Sequence, residues 1–79
     1  MKKAEDTRTF SQIWADFDIV QKADLRTALY QRAYISVSAV NSWGYYSKLP
    51  KPSNRIMVAE VLADKFGIKT NPKTLFPNR

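Results

Sequence analysis

Cysteine and histidine are both absent from the 79 residues. Their absence removes disulfides, thiol nucleophiles, Cys/His zinc cages and imidazole acid–base chemistry together. What remains for catalysis is paired carboxylates, a lysine nucleophile or a metal cage, and the acids are spaced for none of these. Asp16 and Asp18 in "WADFD" come nearest, but side chains at i and i+2 of a helix point apart. No enzyme is expected, and no cofactor, metal or small-molecule substrate. A long apolar run is missing too: "MKKAEDTRTF" has two lysines with no apolar stretch behind them, so neither a secretory signal nor a membrane span is expected. A small domain without disulfides fits a reducing compartment, and the expected location is the cytoplasm.

Carboxylates are also missing from the middle of the chain. Glu5, Asp6, Asp16, Asp18 and Asp24 precede it and Glu60 and Asp64 follow it, leaving Leu25 to Ala59 without one. Arg26, Arg32, Lys48, Lys51 and Arg55 lie inside that stretch, and the net charge is +6. Such segregation makes one surface basic and points to a polyanionic partner. A chain this short forms one domain and buries only about 60% of its unfolded surface, so most apolar residues are needed for the core.

Helical periodicity accounts for those apolar residues. Phe10, Ile13, Trp14 and Phe17 fall at i, i+3, i+4 and i+7, predicting a helix from about Phe10 to Phe17 with Thr9 and Gln12 as a capping box. Residues 1–8 are expected to be a flexible lead, with the domain spanning 9–79. Asp18 caps a second helix whose expected buried positions are Val20, Leu25, Ala28, Leu29 and Ala33. Ser36 caps a third, which carries Val40 and Trp43 inward and stops at Gly44. "YYSKLPKPSN" reads as a loop. Ser53 or Asn54 starts a fourth helix that ends at Gly67, with Ile56, Val58, Ala59, Leu62, Ala63 and Phe66 on its inner face and Met57 and Val61 outside it. Asn71 before Pro72 begins a single turn, and Ile68, Leu75 and Phe76 dock that tail. The expected fold is all-α, a compact bundle of four helices with a docked C-terminal tail.

The third helix is unusual in its outward residues. "ISVSAVNSWGYYSKLP" gives it Ser36, Ser38, Asn41 and Ser42 where most helices carry long side chains. The link from Ala33 to Ser36 is too short for antiparallel packing and suits a steep helix-turn-helix crossing. In that motif the second helix enters a DNA major groove about 12 Å wide, where short polar side chains let the backbone come close. Val37 can offer its methyl groups to thymine.

"LYQRAYISVSAVNSW", then a proline-containing loop, then "VAEVLADKFGIKTNPKTLF", resembles the phage repressor and Cro type of helix-turn-helix family, also called the XRE or lambda-repressor-like family. Leu29, Ile35, Val40, Trp43, Pro50, Leu62, Ala63, Phe66, Gly67, Ile68 and Leu75 occupy matching places, so the resemblance covers about Leu25 to Phe76. It implies a repressor-like transcriptional regulator, of phage or bacterial type, that binds double-stranded DNA. By register it implies base contacts from Val37, Ser38 and Ser42, with Ser36 and Asn41 nearer the DNA backbone. The chain departs from the family at Tyr30, where a small residue is usual, and at Tyr34, where the turn glycine is usual. Its loop is also longer, and Gly44 follows Trp43 directly.

Lys48, Lys51 and Arg55 surround the start of the fourth helix and are expected to hold phosphates, with Tyr45 and Tyr46 donating hydroxyls to the backbone. Met57 and Val61 are expected to form an exposed ridge suited to a homodimer. From another class, the chain is a helical protein-interaction adaptor, an antitoxin or phage accessory protein, acting through the same ridge. RNA binding by Tyr45 and Tyr46 is a third reading.

Overall fold

The computed structural model describes residues 5–77, whose regular structure is helical, with no strand among them. Five helices follow in order: α1 (Phe10–Asp16), α2 (Ile19–Ala33), α3 (Val37–Tyr45), α4 (Pro52–Phe66) and α5 (Pro72–Leu75). α1 packs on α3, α2 on α4, and α5 on α4.

Local chemistry sets most of the boundaries. Thr9 and Gln12 form the expected capping box at α1, and Asp18 and Gln21 form a second at α2, with bonds of 2.8 and 3.0 Å. Two reciprocal boxes so close together, with Phe17 and Asp18 extended between them, split one apolar stretch into two helices. α2 ends at Tyr34, which adopts the left-handed conformation (φ 55°, ψ 31°). The turn therefore tolerates a side chain where glycine is favoured, and the Ile35 N–H closes it onto the Leu29 carbonyl at 3.4 Å. Ser36 caps α3 through its Oγ, which accepts from the Ala39 N–H at 3.1 Å.

Gly44 does not stop α3. The helix runs on to Tyr45, and the left-handed residue that turns the chain is Ser47 (φ 55°), after which the Lys48 N–H reaches back to the Ser42 carbonyl. Gly44 is instead buried against the Trp14 ring, where α3 lies too close to α1 for any side chain. α4 begins earlier than expected, at Pro52, whose fixed φ and missing N–H suit the first helical position. It ends at Gly67 (φ 65°) as expected. Asn71 caps α5 by accepting from the Lys73 N–H.

The core joins Phe10, Ile13 and Trp14 of α1 to Leu25 and Leu29 of α2, Val40 and Trp43 of α3, Val58, Val61 and Leu62 of α4, and Leu75 and Phe76 of the tail. Three expectations about helix faces fail here. Val61 is fully buried and Met57 is partly buried against the core, so the exposed ridge proposed for a dimer or adaptor does not exist. α4 is packed by both α2 and α5, and these neighbours select the stripe Val58, Val61, Leu62; Ile56 and Ala63 are left exposed. On α2 the buried stripe is Leu25, Ala28, Leu29, whose backward extension meets Gln21 and Lys22, so Val20 falls outside it. Ala33 is only half-buried.

The lead before α1 is tied down from Asp6 onward. The Asp6 N–H donates to the Lys69 carbonyl at 2.7 Å, and Arg8 pairs with both Asp6 and Asp16. The Arg8 hydrogen bonds hold the Asp6 carboxyl below its ordinary range, and the same bonds push the Arg8 guanidinium up. Residues 1–4 of the expected flexible lead lie outside the described residues.

Candidate nucleic-acid interface

α3 is held from behind by Ile35, Val40 and Trp43, all buried, which turns its other face outward. Ser36, Val37 and Ser38 stand exposed at its start, with Val37 52% accessible. Asn41 and Ser42, a turn later, are half-buried. Tyr45 and Tyr46 are exposed at its end, where Tyr45 also rests edge-on against Trp14, ring centroids 5.4 Å apart. Of the expected base-contacting residues, Val37 and Ser38 thus project freely and Ser42 less so.

The loop after α3 brings Lys48 and Lys51 to the surface. Arg55 behaves differently: it is half-buried, and its Nε donates to the Pro50 carbonyl at 2.7 Å, tying loop to helix. The start of α4 is a poorer anion site than the sequence suggested. Pro52 supplies no N–H, and the N–H groups of Asn54 and Arg55 are already bonded to the Lys51 carbonyl.

Two cations not among the expected contact residues stand beside α3. Lys22 Nζ lies 5.5 Å from the centroid of the Trp14 ring and 5.1 Å from that of Tyr45. Arg26 is 5.5 Å from the Trp14 ring and donates from Nη1 to Asn41 Oδ1 at 3.1 Å. Asn41 therefore orients an arginine through its carbonyl oxygen. Aromatic faces attract such cations and remove part of their water, so both are held in place before any partner arrives. Their i, i+4 spacing on α2 was visible in the sequence; the rings beneath them were not, because Trp14 and Tyr45 come from two other helices.

The ion pairs among the described residues join Arg8 to Asp6 and Asp16, and Arg32 to Asp64. Lys22, Arg26, Lys48, Lys51 and Arg55 have no carboxylate partner among those residues. Uncompensated cations from α2 thus stand beside α3 at Asn41 and Tyr45, and the loop that follows α3 exposes Lys48 and Lys51. Elsewhere, a cleft of about 500 Å³ between α1, the end of α3 and the tail is lined by Phe10, Trp43, Lys48 and Phe76 among others. No group of three or more His, Cys, Asp or Glu able to hold a metal ion occurs among the described residues, and no helix among them is long and apolar enough to cross a membrane. Compared with protein-family models, with curated proteins and with solved structures, the chain matches none, so the meaning of this surface rests on its own geometry.

Proposed function

We propose that the chain is a double-stranded DNA-binding protein of the helix-turn-helix type, a repressor-like regulator of transcription that seats α3 in the major groove. The observation that carries this reading is the outward face of α3, short at Ser36, Ser38 and Ser42, with Lys22 and Arg26 of α2 beside it and without counter-ions. The link from α2 to α3 supports it: Tyr34 turns the chain, Ile35 is buried as a wedge, and Ser36 caps the next helix. Val37 and Ser38 then meet base edges, with Ser42 behind them, and Ser36, Tyr45, Tyr46, Lys48 and Lys51 meet the backbone. Lys22 and Arg26 join the phosphate contacts, Asn41 acts through Arg26, and Arg55 chiefly holds the loop. With no Arg, Gln or exposed Asn on α3 to grip a base through two hydrogen bonds, sequence specificity is moderate and the phosphate share of affinity is large.

Fluorescence anisotropy on random duplex DNA at two salt concentrations tests this. A monomer neutralising about four phosphates gives a slope of roughly −3.6 in log K against log salt, from ~0.9 per phosphate. The Lys48→Ala/Lys51→Ala variant should bind more weakly with a shallower slope. Absence of binding at low salt would remove the DNA reading while leaving the fold untouched.

A further inference from the structure

Two surface features lie outside the proposed interface except at Lys51, and their chemistry is opposite. The first is the corner between α1 and α2. Ile19 and Val20 occupy the first turn of α2 and are 82% and 66% exposed, Ile19 more than any other Val, Leu or Ile described. The exposed carboxylates of Asp16, Asp18 and Asp24 flank them. Asp16 is shared with Arg8 and Asp18 caps its own helix, whereas Asp24 has no ion-pair partner among the described residues.

The second feature is a groove of about 400 Å³ between the start of α4 and α5, lined by Pro52, Arg55, Ile56, Asn71, Pro72 and Lys73. Pro52, Ile56 and Pro72 make its surface largely apolar, and Ile56 is 54% exposed. No carboxylate lines it. Arg55 and Lys73 give it positive charge, and the exposed Lys51 immediately precedes Pro52. Its volume falls within the range of pockets that enclose a ligand group.

The two features lie at opposite ends of α4. Phe17, beside Asp18, packs on Phe66 at the last position of α4, with ring centroids 4.8 Å apart. Pro52 and Ile56 belong to its first turns, and a helix of fifteen residues is about 22 Å long. One chain cannot bring its own corner to its own groove.

We infer that the α1–α2 corner of one copy of this chain docks in the α4–α5 groove of a second copy, head to tail. Ile19 and Val20 enter the groove, and the carboxylates around them meet Lys73 and Lys51. Because the two surfaces differ, the contact is heterologous: each added copy leaves one corner and one groove open, and the assembly extends unless it closes as a ring. The corner's carboxylates meet a groove lined by cations, although the chain as a whole is basic. The association does not rest on the reading of α3, and Lys51 alone is shared with the proposed DNA contacts.

Sedimentation velocity over a concentration series tests it, using wild type, Ile19→Lys and Ile56→Glu, both at exposed positions, with thermal melts to verify folding. Wild type should exceed the 9.1 kDa monomer mass increasingly with concentration, and less so as salt screens the charged rim. Each variant alone should stay monomeric, since one has lost its corner and the other its groove. Mixed in equal amounts, they should form a dimer that grows no further, because the surviving corner meets the surviving groove. If a variant melts early, Val20→Lys and Lys73→Glu take its place. Wild type that stays monomeric to millimolar concentration overturns the proposal and leaves the groove to another protein's acidic segment. Single variants that associate like wild type, or a mixture that yields no dimer, overturn it as well.

Discussion

Gly44 shows how a single residue's meaning depends on what it faces. Inside a helix alanine is ordinarily better than glycine by about 1 kcal/mol. Here a Cβ would lie 2.5 Å from Trp14 Cγ and 2.6 Å from Cδ1 and Cδ2. The ring cannot step aside, since it is buried with Phe10 tilted against it at 5.9 Å and Tyr45 edge-on. Gly44→Ala is therefore expected to destabilise by about 1–3 kcal/mol, the usual range for overpacking, and to lower the urea midpoint. An unchanged or raised midpoint would mean that α3 is free to lift from Trp14. The residues read correctly from sequence act over three or four positions: Thr9 with Gln12, Asp18, Ser36, Gly67 and Asn71 each bond or turn the chain beside them. Gly44 was misread because its partner lies thirty residues away in the chain, and Ser47, a serine in a left-handed turn, carries no sequence signal for that role.

At the level of the helices, existence was easier to read than orientation. All four longer helices and the short fifth are where apolar spacing and caps place them, within a few residues. The inward face of α4 was not, because its apolar letters cover more than half its circumference and only α2 and α5 decide which side is buried. The link between α2 and α3 was equally hidden: Arg26 and Asn41 are fifteen positions apart and meet at 3.1 Å. That link makes a separable prediction on duplex DNA. Arg26→Gln removes a charge, so it should weaken binding and reduce the salt slope by roughly 0.9. Asn41→Ala keeps the charge and only releases the arginine, so affinity should fall by less than about tenfold, given the net worth of such a bond, with the slope unchanged. Equal slopes for all three proteins would remove Arg26 from the phosphate contacts, whatever Lys48 and Lys51 do.

For the whole molecule the question is whether the fold or merely the composition makes the polyanion partner. A net charge of +6 attracts DNA to the unfolded chain as well, so salt-sensitive binding does not by itself involve α3. Thermal stability separates the two, because a ligand stabilises the state it prefers. In the folded state Lys22, Arg26, Lys48 and Lys51 have no carboxylate partner among the described residues, while Arg8 and Arg32 are occupied by carboxylates. Duplex DNA at about a hundred times its dissociation constant would then add ~2.7 kcal/mol if it bound only the folded chain. In a domain of this size that raises the melting temperature by upwards of 10 °C, at roughly 4–8 °C per kcal/mol. The rise should vanish at high salt and shrink in the Lys48→Ala/Lys51→Ala variant. A melting temperature lowered by DNA at low salt would show that the unfolded chain is the better ligand, making the basic character a property of composition and withdrawing α3 from the major groove.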